Sequence, residues 1–156
     1  MKKIALTLIV VLFATLSYGQ IFDEVKKNAK HGYGKAQFNL GVMYYSSEST
    51  ITNNKQAFYW FKKSAEQGVA EAQFNLGNMY YTGEGTLTDK KQAFYWYQKS
   101  AEQAHAKAQF NLGNMYYNGE GTLTDKKTAA SWIKLSYENG FEKAKETWDD
   151  LELWKY

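Results

Sequence analysis

AQFNLGNMYYTGEGTLTDKK, residues 72–91, returns as AQFNLGNMYYNGEGTLTDKK at residues 108–127, and only Thr82 against Asn118 separates the two. The offset is 36 residues, and it also brings Ala36, Ala72, Ala108 and Ala144 into register. A third copy is partial: AQFNLG at 36–41, KQAFYW at 55–60 and KSAEQ at 63–67. Repetition at a period of this size is the mark of a stacked repeat architecture. The expected organisation is a half unit at 20–35, full units at 36–71, 72–107 and 108–143, and a closing half unit at 144–156.

Inside one unit the apolar spacing is helical, interrupted, then helical again. Ala72, Leu76, Met79 and Tyr80 follow the i, i+4, i+7, i+8 rule, with Phe74, Asn78 and Tyr81 on a second stripe. This is helix A. Thr82 to Leu87 break the pattern with Gly83 and Gly85, residues that accept the positive φ a reversal demands. Asp89 restarts it as an N-cap, and Gln92 three residues later completes a capping-box pattern. Helix B then buries Ala93, Trp96, Tyr97, Ser100 and Ala101 and turns Lys99 and Glu102 to water. Gly77 and Ala93 are small where two helices of a hairpin approach closely. A hairpin cannot bury both stripes alone, so the units stack. The fold class is all-α, an α-solenoid. Phe22, Val25 and Ala29 make the first half unit an N-terminal helix B, and Trp148, Leu151 and Trp154 form the apolar stripe of a C-terminal capping helix.

Composition removes several functions. The 156 residues contain no cysteine and no proline, which excludes disulfides, thiolate metal sites and cysteine nucleophiles. All 19 basic residues are lysine, so the usual bidentate reader of guanine edges and phosphates is missing and no nucleic-acid partner is expected. Lys2 and Lys3 followed by the apolar run Ile4 to Leu16, with Ser17 and Gly19 ahead of a cleavage point, read as a secretory signal peptide at 1–19. The run is too short to span a bilayer, and the mature chain from Gln20 carries a net charge near +1 with no stable membrane insertion. The expected address is periplasmic or secreted.

The series Leu76, Gly77, Tyr80, Gly83, Glu84, Gly85, Asp89, Ala93, Trp96, Ser100 and Ala101, repeated at Leu112, Gly113, Tyr116, Gly119, Gly121, Asp125, Ala129 and Trp132, resembles the Sel-1-like repeat, a relative of the tetratricopeptide repeat. Repeat one departs from it, with Ser47 and Ser49 at the loop glycines and Asn53 at the capping aspartate, which predicts a looser hairpin loop there. The resemblance implies a superhelix with a concave surface that holds proteins or peptides, and it implies no reaction.

In the tetratricopeptide relatives the ligand-facing positions lie on helix A. Carried over, they fall on Phe38, Val42 and Tyr45, then Phe74, Asn78 and Tyr81, then Phe110, Asn114 and Tyr117. Such a ladder offers amides to an extended peptide backbone and rings with polar tips to its side chains. The alternative is that the rings fill the groove between helices. A lysine needed for a carboxylate clamp is replaced by Phe74 and Phe110.

His31 and His105 occupy different repeat positions without acidic neighbours at ligand spacing, so no metal site is expected. Asp89 and Asp125 read as caps, and Glu84 and Glu120 as solvated loop residues, so no catalytic residue, enzyme activity or cofactor is expected. The leading expectation is a scaffold or adaptor for a protein or peptide, monomeric or weakly oligomeric. Two other readings stand beside it: an envelope accessory or enzyme that binds peptidoglycan or glycans through exposed rings, and a structural protein whose open ends stack through Trp148 and Trp154.

Overall fold

The computed structural model describes residues 19–46 and 51–156. The leader expectation up to residue 18, and the serines at 47 and 49, lie outside the described residues. The described chain is helical throughout: α1 (19–30), α2 (Gly34–Ser46), α3 (Ile51–Ala65), α4 (Ala70–Thr82), α5 (Lys90–Ala101), α6 (Ala106–Asn118), α7 (Lys126–Glu138), α8 (Lys143–Asp150), and a last 3-10 turn, Leu153–Lys155. Helices α2 and α3, α4 and α5, and α6 and α7 pair as hairpins, and each hairpin packs on the next through α3 with α4, α5 with α6 and α7 with α8. None of the described helices is long and apolar enough to cross a membrane.

The predicted stripes form the core. Ala72, Leu76 and Met79 from α4 pack with Ala57, Phe61 and Ala65 of α3, and Ala108, Leu112 and Met115 of α6 pack with Ala93, Tyr97 and Ala101 of α5. Each cluster therefore joins helix B of one unit to helix A of the next, so an isolated hairpin would leave half of it in water. Gly77 sits under the ring of Tyr97, where a Cβ would lie 2.6 Å from Cδ1, and Gly41 meets Phe61 in the same way. The close neighbour of Gly77 is thus the helix B ring, which lies flat on the glycine.

A buried polar ladder fixes the register of the stack. Ser64, Ser100 and Ser136 donate through Oγ to the carbonyl oxygens of Gly34, Ala70 and Ala106 at 2.7, 2.8 and 2.7 Å. Gln37, Gln73 and Gln109 donate to the carbonyls of Ala29, Ala65 and Ala101 in the preceding unit, at 3.1, 3.1 and 3.2 Å. Their own amide oxygens accept from Gln67, Gln103 and Asn139. A buried amide left unpaired would cost about 1–3 kcal/mol, so each glutamine disfavours any register but this one.

The helix starts depart from the sequence pattern in one respect. Asp89 Oδ1 accepts from the N–H groups of Lys91 and Gln92, as an N-cap should. The reciprocal half of the capping box is not made, because the Asp89 N–H donates to the Tyr80 carbonyl at 2.8 Å; Asp125 repeats this with Tyr116 at 2.9 Å. The cap therefore closes the hairpin on the end of helix A. In the first unit, helix B starts at Ile51, the position equivalent to Leu87, which in the second unit is still loop.

The C-terminal expectation needs correction. Helix α8 stops at Asp150, Glu152 takes a positive φ of 50°, and the chain folds back so that Leu153, 1% exposed, covers the last core cluster. Trp148 and Leu151 pack against that cluster, whereas Trp154 is 57% exposed. After the break it is Leu153, not Trp154, that faces the core.

Candidate functional site

The helices A stack side by side, so residues at their C-terminal ends from successive units meet. A cleft of about 350 Å³ runs across α2, α4 and α6 there and is lined by Tyr45, Asn78, Tyr81, Asn111, Asn114 and Asn118, with Glu84 and Glu120 from the hairpin loops. Four of the residues singled out by sequence, Tyr45, Asn78, Tyr81 and Asn114, are thus brought to one place. Phe38, Phe74, Phe110 and Tyr117 lie outside its lining. Phe38 packs on Phe61 at 5.9 Å, Phe74 on Tyr97 and His105 at 6.1 and 4.7 Å, and Phe110 on Phe141 at 5.2 Å between ring centroids. Tyr117 packs on the last core cluster, with Lys126 Nζ 5.4 Å from its ring centre. Val42, the helix A residue equivalent to Asn78, is 38% exposed.

Asn78 and Asn114, equivalent positions on successive helices A, differ because their helix B neighbours differ. Tyr97 donates its hydroxyl to Asn78 Oδ1 at 2.8 Å, and Asn111 Nδ2 approaches the same oxygen at 3.4 Å. The residue equivalent to Tyr97 is Phe61 in the first unit and Ile133 in the third, and neither has a hydroxyl. Asn114 accordingly has no side-chain hydrogen-bond partner among the described residues, and its amide faces the cleft with both functions available. Burial pushes the Tyr97 hydroxyl's pKa far up, so it remains a neutral donor at any physiological pH.

The loop glutamates are not merely solvated. Tyr45 donates its hydroxyl to Glu84 Oε2, and Tyr81 to Glu120 Oε2, each at 2.8 Å. Lys90 Nζ lies over the Tyr81 ring, 2.8 Å from its centre, and 3.9 Å from Glu120 Oε1. Tyr81 is therefore engaged at both its hydroxyl and its face. The hydrogen bond to Glu84, followed by burial and the glutamate's charge, raises the pKa of Tyr45 above the usual tyrosine value. These pairs span 39 residues, one repeat plus three, an offset invisible to a search at the repeat period alone.

His105 is a structural residue. Its Nδ1 caps α6 by accepting from the Ala108 N–H at 3.2 Å, its ring stacks on Phe74, and burial lowers its pKa. The loop glycines Gly85 and Gly121 have positive φ and also touch the preceding unit: a Cβ on either would lie 2.3 Å from the carbonyl oxygen of Asn54 or Lys90. That second demand explains why the position admits no side chain.

Stacked helical hairpins with a polar cleft across the first helices define an α-solenoid of helical-hairpin repeats. The Sel1 repeat model matches residues 34–69, 70–105 and 106–141, and the chain belongs to the Sel1 repeat family. Among solved structures, a protective antigen present in uropathogenic Escherichia coli strains displays the same fold, with a TM-score of 0.77 and 37% identity over 83% of this chain. The chain spans 28% of that protein's length. A Sel1 repeat protein from Oxalobacter formigenes is similar at a TM-score of 0.73 and 35% identity, over 81% of this chain and 96% of its own. The cysteine-rich protein B of Helicobacter pylori shares the fold at a TM-score of 0.64 and 22% identity, over 81% and 96%. No curated protein matches the chain.

Proposed function

We propose that this Sel1 repeat chain is an exported, non-catalytic scaffold that holds a polypeptide along its helix A face. The cleft across α2, α4 and α6 is the centre of that contact. The observation that carries the reading is Asn114, whose donor and acceptor face a cleft with no internal partner. An amide in that state matches one N–H and one C=O of an extended backbone. Asn118 extends the same face toward the loop end of α6. Export rests on the lysine-led apolar leader, and a periplasmic or secreted location follows from it.

The test is capture from envelope and culture-supernatant fractions by the wild type and by Asn114→Leu, a replacement of similar volume without hydrogen-bonding groups. A polypeptide retained by the wild type and released by the variant, at equal helicity by circular dichroism, supports the reading. Equal capture by both removes the helix A cleft from it.

A further inference from the structure

The three junctions between successive units place the same three positions together, and one junction lacks a part. The positions are a tyrosine at the end of helix A (Tyr45, Tyr81, Tyr117), a partner 39 residues on (Glu84, Glu120, Tyr156), and the residue nine after the tyrosine (Asn54, Lys90, Lys126). At the second junction Tyr81, Glu120 and Lys90 close on one another as described above. At the third, Lys126 Nζ donates to the Tyr156 hydroxyl at 3.2 Å and lies 5.4 Å from the ring centres of both Tyr117 and Tyr156. The first junction repeats the hydrogen bond, Tyr45 to Glu84 at 2.8 Å, and the backbone contact, Gly85 against the Asn54 carbonyl. It does not repeat the cation, because Asn54 stands where the other units carry lysine.

The consequences are visible in the side chains. Among the described residues no ammonium lies over Tyr45 and none pairs with Glu84; the adjacent Lys55 does neither. Tyr45 is 45% exposed, while Tyr81, under Lys90, is half-buried. Asn54 Oδ1 is buried without a hydrogen-bond partner. Asn54 and Glu84 border a cavity of about 520 Å³, and Glu84 and Tyr45 also border the helix A cleft. An electron-rich ring face and a carboxylate meet here without the cation that completes the equivalent site one unit later.

We propose that the Tyr45–Glu84 junction is a receptor for the ammonium group of a lysine side chain on the bound polypeptide, an intermolecular counterpart of Lys90. The inference rests on the helix A face being the binding face, and it names one residue type that the ligand must present. The ligand's ammonium nitrogen lies over the Tyr45 ring face and beside the Glu84 carboxylate, as Lys90 Nζ does with Tyr81 and Glu120.

The experiment titrates ¹⁵N-labelled protein with n-butylammonium chloride at constant ionic strength, with n-butanol as the neutral control. It then compares a capped Ala-Ala-Lys-Ala-Ala peptide with its norleucine counterpart. Saturable shifts at the amides of Tyr45, Glu84 and Gly85 with the amine and the lysine peptide, at least tenfold weaker with butanol and norleucine, support the receptor. Asn54→Lys, which supplies the missing cation from within at a position where two other units already carry it, should abolish the response. Glu84→Gln should weaken it at least fivefold while keeping an acceptor for Tyr45. No saturable response, or one unchanged in Asn54→Lys and Glu84→Gln, overturns the proposal. Response to the amine but not to the lysine peptide overturns its polypeptide assignment. Capture that depends on Asn114 but ignores Asn54→Lys defeats the lysine receptor and leaves the helix A reading standing. Amine binding at Tyr45 with capture insensitive to Asn114→Leu defeats the latter alone.

Discussion

Gly77→Ala sets two effects of opposite sign against each other, and the structure decides which wins. In an unhindered helix the change gains about 1 kcal/mol from propensity. Here the new Cβ would lie 2.6 and 2.8 Å from Cδ1 and Cε1 of Tyr97, far inside van der Waals contact. The ring has little room to yield: it is 2% exposed, its hydroxyl is tied to Asn78, and Phe74 and Tyr81 flank it at 6.1 and 6.5 Å. Overpacking a held side chain costs about 3 kcal/mol, the upper end of the usual range. The net expectation is a loss of about 2 kcal/mol, or a Tm lower by about 4–8 °C for a chain of this size. Thermal unfolding followed by far-ultraviolet circular dichroism measures it. The Tyr97→Val background is the internal control, because with the ring gone only the propensity gain remains and Gly77→Ala should become neutral or stabilising. A raised Tm for Gly77→Ala in the otherwise unchanged protein would refute the close-approach argument.

Other positions make separate predictions. Ala104 holds φ at 60° where Gly32, Gly68 and Gly140 stand in the equivalent turns, so Ala104→Gly should stabilise by about 0.5–1 kcal/mol, the left-handed strain less glycine's added freedom in the unfolded chain; an unchanged or lower urea midpoint would count against it. Because burial lowers the pKa of His105, the unfolded chain binds that proton more readily; its contribution is fully present above about pH 6.5 and falls as pH drops below that value. His105→Val, which installs the residue that Val69 supplies in the unit before, should flatten stability measured between pH 7.5 and 5.5, and an unchanged slope would refute this cause. Gln73→Leu removes the donor to Ala65 and the acceptor for Gln103 at a residue 5% exposed, so it should cost about 1–3 kcal/mol in chemical denaturation. Loss of less than half of that would show that the glutamine ladder does not hold the register.

The hairpins were legible because repetition separates what the fold requires from what one position happens to contain. Leu40, Leu76 and Leu112 recur at 36-residue intervals and are all fully buried, and Gly77 marks a true close approach. Gln73 was not legible as a core residue, since burial of an amide is tolerated only with partners in another unit, which periodicity does not name. The Tyr81 to Glu120 bond was hidden for a related reason: it joins positions out of phase by three residues. Asn78 and Asn114 look equivalent in sequence, and they diverge only because Tyr97 and Ile133 lie opposite them. The fold of the last residues depended on one backbone reversal at Glu152, a residue type with no special preference for positive φ.

Whether a polypeptide lies across the A helices is read out by a photo-crosslinking amino acid placed in turn at Asn114, in the cleft, and at Tyr95, exposed on a helix B. A discrete adduct with one polypeptide is expected from position 114 and none from position 95. Adducts from position 95 alone, or from neither position, would contradict it.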